Sequence, residues 1–120
     1  MRSIYLDYAA TTPCDPKVIE AMQPYFFQNF GNASSPHAFG RRARKALEDA
    51  RERLAAFLST QPTEMVFTSG ATEGNNQAIF GVAQALTSKG RHIVASAIEH
   101  HSILKPLERL SKEGWQVTYI

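Results

Sequence analysis

Cysteine is almost missing from this 120-residue chain, Cys14 being the single example. One thiol excludes a disulfide framework within the chain, and a reducing compartment, the cytoplasm, is the natural expectation. Long hydrophobic runs are missing as well. No apolar stretch approaches the roughly 20 residues that cross a bilayer. No basic segment followed by an apolar run opens the chain either, so neither a membrane association nor a leader is expected. A dominant charge is also lacking, with 13 basic against 11 acidic residues and a formal net charge of +2. That balance implies no polyanionic partner. The one basic run, Arg41, Arg42, Arg44 and Lys45, is followed closely by Glu48, Asp49 and Glu52. It reads as a solvated helix face and not as a nucleic-acid stripe. What the chain does have is 43% apolar and 20% charged residues, the composition of a folded domain.

Periodicity organises the rest. Asp15 followed by Pro16 is a helix start signal, and Val18, Ile19 and Met22 supply an apolar side. Pro24 then predicts a kink or an early end. Residues 29–36, rich in Gly, Asn, Ser and Pro, read as loop. A long helix over 38–58 follows, with Ala43, Ala46, Leu47, Ala50, Leu54, Phe57 and Leu58 forming one stripe. Arg44 with Glu48, Lys45 with Asp49 and Asp49 with Arg53 lie four apart on its other side, each pair contributing ~0.3 kcal/mol.

Strands are expected at 4–6, 65–68, 92–96 and 115–120, and further helices at about 72–88 and 103–112. The chain thus divides into an N-terminal segment with a long helix, 1–61, and a βαβαβ part, 62–120. The fold class is α/β, a parallel or mixed sheet flanked by helices. The last strand would be an open sheet edge, so more sheet is expected beyond residue 120.

Two motifs can carry chemistry. Residues 68–76, TSGATEGNN, describe a strand leading through a glycine turn into a helix. Backbone N–H groups and the positive end of a helix dipole converge there, and the Thr72 hydroxyl can add a bond, which suits a phosphate. Neither a Walker loop nor a dinucleotide fingerprint is present, and a plain capped turn is the alternative. Residues 99–102, EHHS, follow the next strand, at the end of a parallel sheet where ligands bind. His100 could stack there on a flat ring whose phosphate the first turn holds; the alternative is a simple helix cap. Adjacent histidines lack metal-ligand spacing, so no metal is expected.

Residues 5–13 (YLDYAATTP), 31–44 (GNASSPHAFGRRAR), 67–76 (FTSGATEGNN) and 99–107 (EHHSILKPL) together resemble the NifS/IscS-type cysteine desulfurases of the class V aminotransferase family. The resemblance runs over essentially the whole chain. It implies a partial type I PLP-transferase fold and pyridoxal 5'-phosphate (PLP) as cofactor. It also implies a homodimer that converts L-cysteine to L-alanine and passes sulfur as a persulfide to a sulfur-acceptor or iron–sulfur scaffold protein. Carried over by position, Ala71 and Thr72 would bind the cofactor phosphate. His100 would stack on the ring and act in proton transfers.

The family's Schiff-base lysine, its pyridine-nitrogen acid and its loop cysteine match nothing here. Lys17, Lys45, Lys89, Lys105 and Lys112 fall on helix faces or ends, and Cys14 reads as a small buried group. The chain is therefore expected to be a fragment, inactive alone. The alternatives are a related class V lyase or aminotransferase, and a non-catalytic remnant that binds a partner.

Overall fold

A computed structural model describes residues 3–120, which form two compact units meeting in sequence at Met65 and Val66. In the first unit the expected strand at 4–6 is replaced by an irregular segment. The Tyr5 hydroxyl donates to the Asp7 carbonyl at 2.8 Å, and that carbonyl accepts from the Ala10 and Thr11 amides. These bonds close a turn just where a ladder would have to continue.

Helix α1 (Pro16–Met22) begins as its sequence predicts, Asp15 accepting from the Lys17 amide at 2.7 Å with Pro16 in the first turn. It stops at Gln23 because Pro24 has no N–H for the ladder, and the short α2 (Pro24–Phe27) starts on that proline. Cys14, expected to be buried, is exposed. It precedes α1 in the irregular stretch 11–15, which belongs to no helix or strand.

Helix α3 (Ala38–Phe57) is capped by His37, whose ring accepts from the Gly40 amide at 3.3 Å. Of the three expected ion pairs, Lys45–Asp49 forms at 2.6 Å. Arg44 turns away from Glu48 and donates to the Ala33 carbonyl at 2.8 Å, while Glu48 pairs with Arg51 at 3.1 Å. A loop carbonyl that needs a donor outcompetes an exposed carboxylate that water already serves. The helix closes with Ser59 in the left-handed conformation, φ 55°, and the Thr60 amide bonding back to the Ala55 carbonyl at 2.9 Å. A 3-10 turn, Pro62–Glu64, follows.

In the second unit α4 (Ala71–Ala85), β1 (His92–Ala95), α5 (His101–Lys112) and β2 (Gln116–Tyr119) alternate. β1 and β2 pair in parallel, from His92 opposite Gln116 to Ala95 opposite Tyr119. Helix α5 is the crossover that a parallel pair requires. Packing of α4 on α5 buries Ala83, Leu107 and Leu110. The expected three-stranded sheet is thus two-stranded among the described residues. Residues 65–68 are not a strand of it, and the Met65 carbonyl instead accepts from the Arg51 guanidinium. The class is α/β as expected. Among the described residues no helix is long and apolar enough to cross a membrane.

Candidate functional site

Two helix N-termini of the second unit carry the candidate residues. The first belongs to α4. Its N-cap is Gly70, which has no side chain to offer, and no side chain caps the helix. The first ladder bond runs from the Gly74 amide to the Gly70 carbonyl at 3.1 Å. The N–H groups of Ala71, Thr72 and Glu73 therefore precede the ladder, as the opening amides of any helix do. Glu73 does not take them. Its carboxylate reaches back past the cap to Ser69, accepting from the Ser69 amide at 2.7 Å and the hydroxyl at 2.6 Å. These bonds, the hydroxyl first, hold the Glu73 carboxyl below the usual glutamate range.

The turn is braced from the other side as well. Thr68 Oγ1 donates to the Gly70 carbonyl at 3.2 Å, and Asn76 Nδ2 to the Thr72 carbonyl at 2.8 Å. Thr72 is exposed and its hydroxyl makes no hydrogen bond among the described residues. Apart from its two chain neighbours, no heavy atom of the described residues lies within 4 Å of where a Cβ on Gly70 would stand. Open backbone amides, a free hydroxyl, a helix dipole and unobstructed space fit a phosphate group.

The second N-terminus belongs to α5 and follows the carboxyl end of β1. His100 is its N-cap, with Nδ1 accepting from the Ser102 amide at 3.1 Å and 2.9 Å from Ser102 Oγ. Ser102 is buried, 8% exposed, whereas His100 is exposed. Asn75, in the second turn of α4, donates from Nδ2 to Ser102 Oγ at 2.9 Å. A hydrogen-bonded chain, Asn75 to Ser102 to His100, thus ties the start of α4 to the cap of α5.

Ala71, Thr72 and His100, the three residues read from sequence, accordingly stand at two helix starts joined by one polar bridge. The turn before α4 follows an extended segment and not a strand of the sheet, so only His100 sits at a strand end in the expected way. Asn75 and Ser102 lay inside the quoted motifs but received no role. The signal that could have found them is a serine two residues after a histidine, the spacing at which an N-cap meets its amide. His101 stands 6.2 Å from His100 between ring centres, and among the described residues no three His, Cys, Asp or Glu could hold a metal. All five lysines are exposed, Lys45 and Lys105 pairing with Asp49 and Glu108.

Against known proteins, residues 4–120 match the family model described as aminotransferase class-V. The chain is 52% identical over 119 residues to the cysteine desulfurase IscS of Dictyoglomus turgidum, covering 99% of this chain and 30% of that protein. It is 48% identical over 120 residues to the putative cysteine desulfurase IscS 1 of Bacillus subtilis, covering all of this chain and 32% of that one. Among solved structures, a NifS-like protein superposes with a TM-score of 0.85 at 37% identity, over 92% of this chain and 30% of the other. SspA, solved in complex with cysteine, superposes at 0.87 and 40% identity, over 98% of this chain and 34% of its own. The chain spans about a third of the length of these relatives.

Proposed function

The chain belongs to the aminotransferase class-V family, and on that premise we propose that it supplies the phosphate seat and stacking imidazole of a PLP-dependent cysteine desulfurase. The observation that carries the reading is the uncapped start of α4 bridged through Asn75 and Ser102 to His100. The Ala71 and Thr72 amides and the Thr72 hydroxyl would hold the phosphate, and His100 would lie against the ring. The bound cofactor supplies an electron sink for bonds broken at the substrate's α-carbon. The chain's own part is to place that group: amides fix one end and an imidazole, oriented through Nδ1, backs the other.

L-cysteine is the substrate in this reading, L-alanine the product, and the sulfur leaves as a persulfide on a cysteine for a sulfur acceptor or an iron–sulfur scaffold. The relatives' names and the cysteine complex of SspA support that substrate. The lysine that anchors the cofactor, the acid on its ring nitrogen and the persulfide cysteine lie outside these 120 residues in this account, which makes the isolated segment inactive. A homodimer in the cytoplasm completes the proposal.

The test uses the intact protein that carries this segment, purified with PLP. Incubation with L-cysteine and a thiol should release alanine and sulfide in step. Thr72→Val should weaken PLP retention about tenfold, the effect of one lost bond to a charged group, while His100→Ala should keep the cofactor and slow alanine release. A protein that holds PLP and forms no alanine from cysteine overturns the substrate assignment. One that holds no PLP overturns the cofactor as well.

A further inference from the structure

We propose that Asn75 and Ser102 are positioning residues that hold His100 as its Nε2–H tautomer, so that the ring meets cofactor and substrate as a hydrogen-bond donor at Nε2. The role of Nε2 rests on the desulfurase reading; the tautomer does not.

The argument is one of directions. A backbone N–H can only donate, so the Ser102 amide at 3.1 Å requires a lone pair on His100 Nδ1. An amide nitrogen also only donates, so Asn75 Nδ2 at 2.9 Å makes Ser102 Oγ an acceptor. The serine's own hydrogen is then free to point along the remaining 2.9 Å contact to Nδ1. Two donors converge on one ring nitrogen, and the second is aimed from a different helix, 27 residues earlier in the chain. A proton on Nδ1 would expel the Ser102 amide from the cap and face a hydroxyl already turned toward it. Ser102 is buried, 8% exposed, so water does not readily replace its hydroxyl. The only ring nitrogen left for a proton is Nε2, and the residue as a whole is exposed. With its lone pair occupied, the ring donates and has no site at which to accept.

His37 provides an internal comparison. It caps α3 in the same way, through Nδ1 and the Gly40 amide at 3.3 Å, but among the described residues no hydroxyl bonds to its Nδ1. Its tautomer hangs on a single longer bond.

The measurement is long-range proton–nitrogen NMR on the intact holoenzyme labelled with 15N-histidine, His100 being assigned by its loss in His100→Gln. The expected pattern is an unprotonated Nδ1 and a protonated Nε2 for His100. That pattern should become a mixture of tautomers in Ser102→Ala and in Asn75→Ala, and return in Ser102→Thr, which keeps the hydroxyl. In parallel kcat for alanine formation should fall about tenfold in Ser102→Ala, part of what a positioned hydrogen-bond donor contributes, with KM for cysteine little changed and recovery in Ser102→Thr. Asn75 is only half-buried, so its variant stays informative if Ser102→Ala fails to fold. A protonated Nδ1 in the wild type overturns the proposal, as does a His100 tautomer unmoved in both variants. The same spectra after PLP is removed should show the same tautomer, because every bond in the chain is internal. A protein that binds no PLP or makes no alanine therefore refutes the desulfurase reading while leaving the tautomer result standing.

Discussion

Glu73 is the third residue of α4, where a carboxylate complements the positive end of the helix. Its two bonds to Ser69 hold the carboxyl below its ordinary range, and this gives the turn a pH dependence of definite sign. A carboxyl with a lowered folded value favours the folded turn above its unfolded pKa, and that contribution is lost as pH falls through the folded value. The turn should therefore keep its brace through mild acid and loosen only as pH falls below the usual glutamate range. Replacing Ser69 by Ala removes the hydroxyl bond, the larger cause of the shift, and keeps the amide bond. Carbon-detected NMR titration of Glu73 in Ser69→Ala should show its midpoint moving up toward the usual glutamate value. A midpoint that stays put would mean that the short contacts to Ser69 do not govern the carboxylate, and the turn would need another brace.

At the scale of elements, the loop over residues 28–37 shows how much of this fold is backbone fitting against backbone. A Cβ on Gly40 would stand 2.1 Å from the Ser35 carbonyl oxygen and 2.7 Å from that of Asn32. One on Gly31, at φ +157°, would stand 2.7 Å from the Phe39 carbonyl oxygen. Arg44 pins the same loop through the Ala33 carbonyl, and the Asn32 side chain takes the Ser34 amide at 2.9 Å. Gly40→Ala should cost about 1–3 kcal/mol by overpacking, and Arg44→Ala about 1 kcal/mol for a lost charge-assisted bond at an exposed site. Denaturant unfolding of the intact protein would read both. An unperturbed Gly40→Ala would show that the loop lifts off α3 at no expense.

These glycines also mark the limit of what the chain revealed before its structure. Helices α1, α3, α4 and α5 were legible because stripe, cap and proline stop are local properties, written within a few residues of one another. Segments 4–6 and 65–68 read as strands and are not, because a strand exists only through its ladder, and a short apolar run does not say whether a neighbouring strand is there. The bridge from Asn75 to Ser102 was invisible for the same reason: a contact 27 residues long leaves no local trace. Thr72 and His100 could be singled out as candidates because each sits at a helix start, which is a local signal.

At the scale of the whole chain, apolar surface is left uncovered in both units. In the first, Phe57 is 84% exposed, and Leu54 and Leu47 from the same stripe of α3 are also open, with Gly40 and Ala55 the residues of that helix that are buried. In the second, a groove of about 480 Å³ is lined by Ile79 and Val82 of α4, by Leu86 just after that helix, and by Ile93 of β1. Buried groups there are few: Ala83, Ser102, Pro106, Leu107 and Leu110. Burial at about 25 cal/mol per Å² must offset roughly 1.5 kcal/mol of entropy for each ordered residue, and a core this thin leaves little margin. A monomer with open apolar faces lowers its free energy by pairing them. The 120-residue polypeptide, produced by itself, should therefore associate as its concentration rises in sedimentation experiments. It should bind a hydrophobic dye and unfold over a broad range of temperature. A sharp, reversible transition of a monomer, independent of concentration, would mean that the two small cores suffice, and the exposed stripe of α3 would then need no covering partner for the segment to stand.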